Sequence, residues 1–163
     1  MLTDQVRRTH VTVGSPVGPL TVVATGTAIC GLYMDDQRWR PADDSFGEPE
    51  QAPFTQVLDE LEEYFAGRRR RFQIPVLLAG TPFQLRVWDA LLEIPYGRTV
   101  SYGHVAHRIG QPTASRAVGL AVGRNPIGIV VPCHRVIGST GRLTGYAGGV
   151  DRKRHLLALE ASS

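Results

Sequence analysis

The chain changes character at Thr81-Pro82-Phe83-Gln84. This tetrapeptide combines a residue able to cap a helix, a proline at the first helical position and a glutamine three residues after the cap. A helix is therefore expected to start here and, with it, a second unit: residues 1–79 form one domain and residues 80–163 another.

The first unit reads as mixed. His10-Val11-Thr12-Val13, Leu20-Thr21-Val22-Val23 and Ile29-Cys30-Gly31-Leu32-Tyr33 are β-branched or aromatic runs separated by proline- and glycine-containing turns. That spacing predicts an antiparallel meander, with Cys30 as a small core residue. Residues 35–52 are polar and contain Pro41, Gly47 and Pro49, which predicts a surface loop with little to bury. Phe54, Val57, Leu58, Leu61, Tyr64 and Phe65 recur at helical steps, with Asp59, Glu60, Glu62 and Glu63 expected to face outward. The run Arg68-Arg69-Arg70-Arg71 either contacts phosphate or, as favoured here, complements the negative end of that helix, and it leads into the strand-like Phe72-Gln73-Ile74-Pro75-Val76.

The second unit reads as helical. Phe83, Val87, Trp88, Leu91 and Leu92 share one face of the first helix, with Trp88 its core anchor, and Ile94-Pro95-Tyr96-Gly97 ends it. Ser101 can cap a helix over residues 102–109, Gly110-Gln111-Pro112 breaks it, and Thr113 can cap another over 114–123. Two short helices joined by a tight turn describe a helix-turn-helix. The second is built of small residues, with Arg116 its only long side chain near the start. Asn125 suits a tight turn, Leu143 to Gly149 form a glycine-rich loop, and Asp151 can cap a last helix burying Leu156, Leu157 and Leu159.

Chemistry concentrates at Ile129-Val130-Val131-Pro132-Cys133-His134-Arg135. The three apolar residues predict a buried strand that Pro132 stops, leaving Cys133 on stiff backbone. A thiol reacts as its thiolate and needs a base or positive charge beside it; His134 and Arg135 offer both. Glu160 stands among leucines, and a carboxylate turned inward there needs a partner, so Cys133, His134 and Glu160 form a candidate triad. An inert buried cysteine fits the same local pattern.

Charge separates the halves. Residues 1–79 hold 8 Lys/Arg against 11 Asp/Glu, and residues 80–163 hold 10 against 4, giving −3 and +6. A basic helix-turn-helix unit beside an acidic one suits a polyanionic partner such as nucleic acid, and on charge alone equally suits a solvated basic face. Two cysteines make no disulfide framework, and no Cys/His spacing matches a zinc finger, so a reduced, cytoplasmic setting without metal is expected. The first twenty residues lack a basic stretch followed by an apolar one, and no apolar stretch is long enough to span a membrane, so a soluble protein is expected.

Pro132-Cys133-His134-Arg135-Val136-Ile137, with Asn125-Pro126 before it and Gly148-Gly149 and Leu156-Leu157-Ala158-Leu159-Glu160 after it, resembles the O6-alkylguanine-DNA alkyltransferase family. The likeness extends through Val87-Trp88, Ile94-Pro95-Tyr96-Gly97, Ser101-Tyr102-Gly103 and Arg116-Ala117-Val118-Gly119. It implies an α+β fold: a small ribonuclease H-like N-terminal α/β domain of antiparallel strands plus a helix, and a mainly helical domain with the helix-turn-helix. It also implies a cofactor-free protein that flips O6-alkylguanine, and less well O4-alkylthymine, out of double-stranded DNA. The alkyl group passes once, irreversibly, to Cys133.

In that likeness His134 acts through a bridging water as base, Glu160 orients it, Asn125 holds the turn, and Tyr102 contacts the flipped base. Arg116 enters the duplex in its place, and Ala117, Gly119, Arg135, Val136, Tyr146, Ala147 and Lys153 complete the expected DNA- and base-binding set. Binding is expected in the minor groove, by a monomer able to assemble cooperatively on DNA. Ala147 departs from the serine of many relatives, and Cys30 alone leaves too few ligands for the zinc site some relatives have. The cysteine-rich domain of the adaptive-response relatives is not matched, so no phosphotriester-sensing role is expected. A cysteine hydrolase using Cys133, His134 and Glu160, and an inert lesion-binding module, are the competing readings.

Overall fold

In the computed structural model, which describes residues 7–143 and 145–162, strands β1 (Arg8–Val13), β2 (Leu20–Thr25) and β3 (Ala28–Met34) form the expected antiparallel meander. A two-residue strand, β4 (Glu48–Pro49), joins parallel to β1, giving the order β3-β2-β1-β4. The central strand β2 buries Leu20 and Val22 completely, as a strand covered on both faces must.

The free edge of β3 is closed by two single bridges, Ile29 to Val76 and Leu32 to Ile127. Leu32 N–H donates to the Pro126 carbonyl (2.9 Å) and Gly128 N–H donates to the Leu32 carbonyl (3.1 Å). Extended pairing thus falls before residues 129–131, where a strand was expected. Ile129 takes φ +69, and the N–H groups of Val130, Val131 and Cys133 bond to the carbonyls of Gly128, Ile127 and Val131. Those local bonds fold the apolar run into consecutive turns, which apolar periodicity alone does not reveal.

Helix α1 (Thr55–Phe65) buries Val57, Leu61 and Tyr64 as expected. Glu60, expected outside, is only 3% exposed. Its carboxylate accepts from the Gln73 backbone N–H (2.9 Å) and Gln56 Nε2 (3.0 Å), so it ties the chain after the helix back onto α1. The loop at 35–52 also differs from expectation: Phe46 is buried, stacked on Tyr33 with ring centroids 5.6 Å apart.

The capping box forms, with Gln84 N–H donating to Thr81 Oγ1 (3.1 Å) and Thr81 N–H to Gln84 Oε1 (3.0 Å) at the start of α2 (Pro82–Leu92). Trp88 is buried and its Nε1 donates to the Ala121 carbonyl (2.9 Å). Leu92 is instead 45% exposed, because it falls on the solvent side of the last turn. After β5 (Val100–Ser101), Ser101 Oγ caps α3 (Tyr102–Arg108) by accepting from His104 N–H at 3.0 Å. Gly110, at φ +80, turns the chain.

Helix α4 (Ser115–Gly123) begins one residue later than expected, from Ala114, and Thr113 does not cap it. Strand β6 (Val136–Ile137) pairs parallel with β5. Likewise α5 (Val150–Ala161) starts from Gly149 at φ +93, and Asp151 lies inside its first turn, paired with Arg154 at 3.0 Å, rather than capping it. One continuous apolar core runs from Val11 in β1 to Leu156 in α5.

Candidate active site

Asn125, at the end of the helix-turn-helix, is buried and uses both ends of its amide. Its Nδ2 donates to the Val131 carbonyl (2.8 Å) and its Oδ1 accepts from Ile127 N–H (3.0 Å). The five residues between are thereby drawn into a tight loop that delivers Pro132 and a 3₁₀ turn, Cys133–Arg135, into the interior. Cys133 is 6% exposed and His134 wholly buried.

Glu160, on α5, receives the turn. Its Oε2 accepts from His134 Nε2 (2.7 Å), Tyr64 Oη (2.6 Å) and an Arg135 terminal nitrogen (3.0 Å), while Oε1 accepts from Arg135 Nε (2.8 Å). Arg135 also donates to the Ile94 carbonyl (2.7 Å). Burial pushes the Glu160 carboxyl up, but the hydrogen bonds from His134, Arg135 and Tyr64 outweigh it and hold the group well below the usual range. An ionised carboxylate can only accept, so the His134 proton is on Nε2 and Nδ1 carries the lone pair. Nδ1 is buried and has no hydrogen-bond partner among the described residues.

Burial pulls the His134 pKa down against the pull of Glu160, so the imidazole is neutral. Burial pushes the Cys133 thiol up; the Asn125 amide, the Lys153 charge and the Tyr146 hydroxyl oppose that shift. The resting thiol is thus protonated, flanked by groups that favour its anion and followed by a neutral imidazole able to take the proton. Lys153 is itself 1% exposed, its Nζ donating to the Val136 carbonyl at 2.6 Å, and burial lowers its pKa.

Tyr146 connects this interior to a cleft of about 920 Å³ lined by Tyr102, Ala117, Gly119, Tyr146 and Ala147. Arg116 is exposed in the first turn of α4 beside it. Arg135, Val136 and Lys153, expected among the DNA- and base-contacting residues, are buried, with Arg135 bonded to Glu160 and Lys153 Nζ to the Val136 carbonyl. Tyr64 was missed as a site residue because helical spacing placed it in the core; the available signal was its hydroxyl, which needs a partner when buried. Arg38, Trp39 and Arg124 also line the cleft and carried no sequence signal.

The fold and site together define a DNA-binding, cysteine-based transferase. Residues 10–78 match the 6-O-methylguanine DNA methyltransferase ribonuclease-like domain and residues 82–162 match the DNA-binding domain of the same family. A methylated-DNA–protein-cysteine methyltransferase of Mycobacterium bovis is 52% identical over 93% of this chain and 91% of its own length. One from Methanosarcina acetivorans is 48% identical over 91% and 95%. The crystal structure of Mycobacterium tuberculosis OGT in complex with DNA superposes with a TM-score of 0.89 at 51% identity, over 94% of this chain and 93% of that one. The chain belongs to the 6-O-methylguanine DNA methyltransferase family.

One prediction concerns the link from α1. Tyr64→Phe removes a hydrogen bond to a buried carboxylate and is expected to lower unfolding free energy by about 1.5–3 kcal/mol. Urea denaturation monitored by circular dichroism measures it; an unchanged midpoint would refute the assignment.

Proposed function

We propose that this protein repairs DNA directly, moving an alkyl group from O6 of guanine, and less readily from O4 of thymine, to Cys133 Sγ in one irreversible turnover. The observation that carries the reading is the 2.7 Å His134–Glu160 hydrogen bond, which leaves Nδ1 as a buried lone pair next to the Cys133 turn. Family membership supports the substrate class. In the reaction His134 Nδ1 takes the thiol proton by way of a bridging water, and the thiolate attacks the alkyl carbon. The carbon–sulfur bond forms as the carbon–O6 bond breaks, and its electron pair stays on guanine, whose ring is protonated by Tyr102. Glu160 and Asn125 position His134 and the turn.

An O6 substituent inside the base stack is out of reach of a buried thiol, so the nucleotide must be extruded, at a cost of a few kcal/mol. Arg116, exposed on a helix of small residues, fills the place left in the duplex, and Ala117, Gly119, Tyr102, Tyr146 and Ala147 form the walls around the base. With a basic half and a recognition helix that carries few polar side chains, the duplex is held in the minor groove through its phosphates. In this reading residues 80–163 carry DNA binding and transfer, residues 1–79 support them, and the protein acts as a cytoplasmic monomer.

Incubation with a duplex carrying methyl-labelled O6-methylguanine should label the protein once per molecule; continued turnover would refute the proposal. Arg116→Ala should slow transfer from duplex by at least tenfold while affecting free O6-benzylguanine much less, since only the duplex requires extrusion. Equal losses on both would remove Arg116 from the flipping step.

A further inference from the structure

The loop after β3 turns an indole toward the cleft. Trp39 adopts φ +67, a conformation bulky residues seldom take, and is 48% exposed. Its ring packs against two guanidiniums: Cζ of Arg124, at the end of α4, is 3.8 Å from the ring centroid, and Cζ of Arg38 is 4.7 Å from it. Arg38 N–H donates to the Ala147 carbonyl (2.8 Å), which ties this loop to the one beside the acceptor cysteine. Arg38, Trp39 and Arg124 line the same cleft as Tyr102 and Tyr146.

Each cation is attracted to the ring, yet the two like charges repel one another. Among the described residues neither has a carboxylate partner, whereas Arg40, Arg69, Arg108 and Arg154 each have one. Arg40, only two residues from Arg38, bonds both Asp43 and Thr21. The N-terminal half has more acidic than basic residues, 11 against 8, so general basicity does not account for Arg38 at this rim. A pair of guanidiniums held against one ring, without carboxylate partners among the described residues and continuous with the helix that bears Arg116, is complementary to successive phosphates of one strand.

Resting on the DNA-repair reading, we propose that Arg38 and Arg124, spaced by Trp39, clamp the phosphate backbone of duplex DNA at the rim of the cleft, making the N-terminal half part of the DNA interface. Because the Arg38 backbone holds Ala147, the clamp couples strand binding to the loop that forms one wall of the site.

The test is duplex affinity, by fluorescence anisotropy, across a range of salt concentrations. The double variant Arg38→Ala/Arg124→Ala should bind at least tenfold more weakly at low salt, and its log–log salt slope should be shallower by about 1 to 2, since each phosphate contact contributes about 0.9. Arg38→Lys/Arg124→Lys should keep the wild-type slope. Trp88 is buried, so the tryptophan fluorescence change on adding duplex should come from Trp39 and vanish in Trp39→Phe. Thermal melting reports folding, and if the double alanine variant does not fold, Arg38→Gln gives the same reading with the loop backbone intact. An unchanged slope in a folded variant overturns the clamp, as does equal quenching by polyglutamate. A wild type that fails to bind duplex or accept alkyl groups removes the repair reading itself, whereas a wild type that does both while the slope is unchanged removes only the clamp.

Discussion

Cys133→Ala is expected to abolish alkyl transfer, with no label on the protein above background and a rate loss of at least about a thousandfold, because the thiolate is the only nucleophile the proposed chemistry provides. The second cysteine supplies the control. Cys30 lies half-buried in β3, 3.2 Å from Thr25 Oγ1 and on a different strand-bound surface, with no imidazole-carboxylate pair behind it. Cys30→Ala should therefore accept one alkyl group per molecule as wild type does. Intact-protein mass spectrometry after reaction with methylated duplex reads both outcomes, and a labelled Cys133→Ala protein would overturn the assignment.

Glu160→Gln should produce the next largest effect, on rate and stability together. An amide in place of the carboxylate can donate to His134 Nε2, which moves the ring proton to Nδ1 and removes the base; a loss of about 10²–10⁴ in transfer rate is expected. Arg135, 7% exposed and doubly bonded to Glu160, is left as a buried cation without its counter-ion. Breaking a buried pair in this way costs about 3–5 kcal/mol, read as a shift in the urea midpoint.

The pH dependence follows from the same groups. Folding depresses the Glu160 pKa, so its contribution is fully present above the unfolded value near about 4.3 and is lost as pH falls toward the folded one. Folding also depresses the His134 pKa: below about 6.5 the unfolded chain takes up a proton that the folded chain refuses, and stability begins to fall there. Wild-type stability should thus decline in two stages on acidification, and Glu160→Gln should lose the second. A flat wild-type profile between neutral and acid pH would contradict both shifts.

The capping box at Thr81, the Ser101 cap and the Trp88 anchor were legible because each depends on residues within a turn or two of one another. The pairing of His134 with Glu160 was inferred from a carboxylate among leucines, and it forms although the two are 26 positions apart. Glu60 shows where that logic stops: on α1 it shares a spacing with its exposed neighbours Asp59 and Glu62, and only the return of Gln73 to the helix makes it buried. Residues 129–131 mislead for a related reason, since their apolar side chains are buried whether the backbone is extended or turned.

The sequence by itself determined most of the helices and strands, the pairing candidates His134 and Glu160, and the family. These are carried by local backbone preferences and short motifs, which need no knowledge of what lies across the core. Only the tertiary structure decided the direction of side chains next to those motifs: Arg135 inward to Glu160, Tyr64 from α1 onto the same carboxylate, and Trp39 against Arg124. Arg135 with Glu160, Tyr64 with Glu160 and Trp39 with Arg124 are far apart in the chain, and a buried or stacked polar group takes its orientation from the partner that satisfies it rather than from its neighbours in sequence.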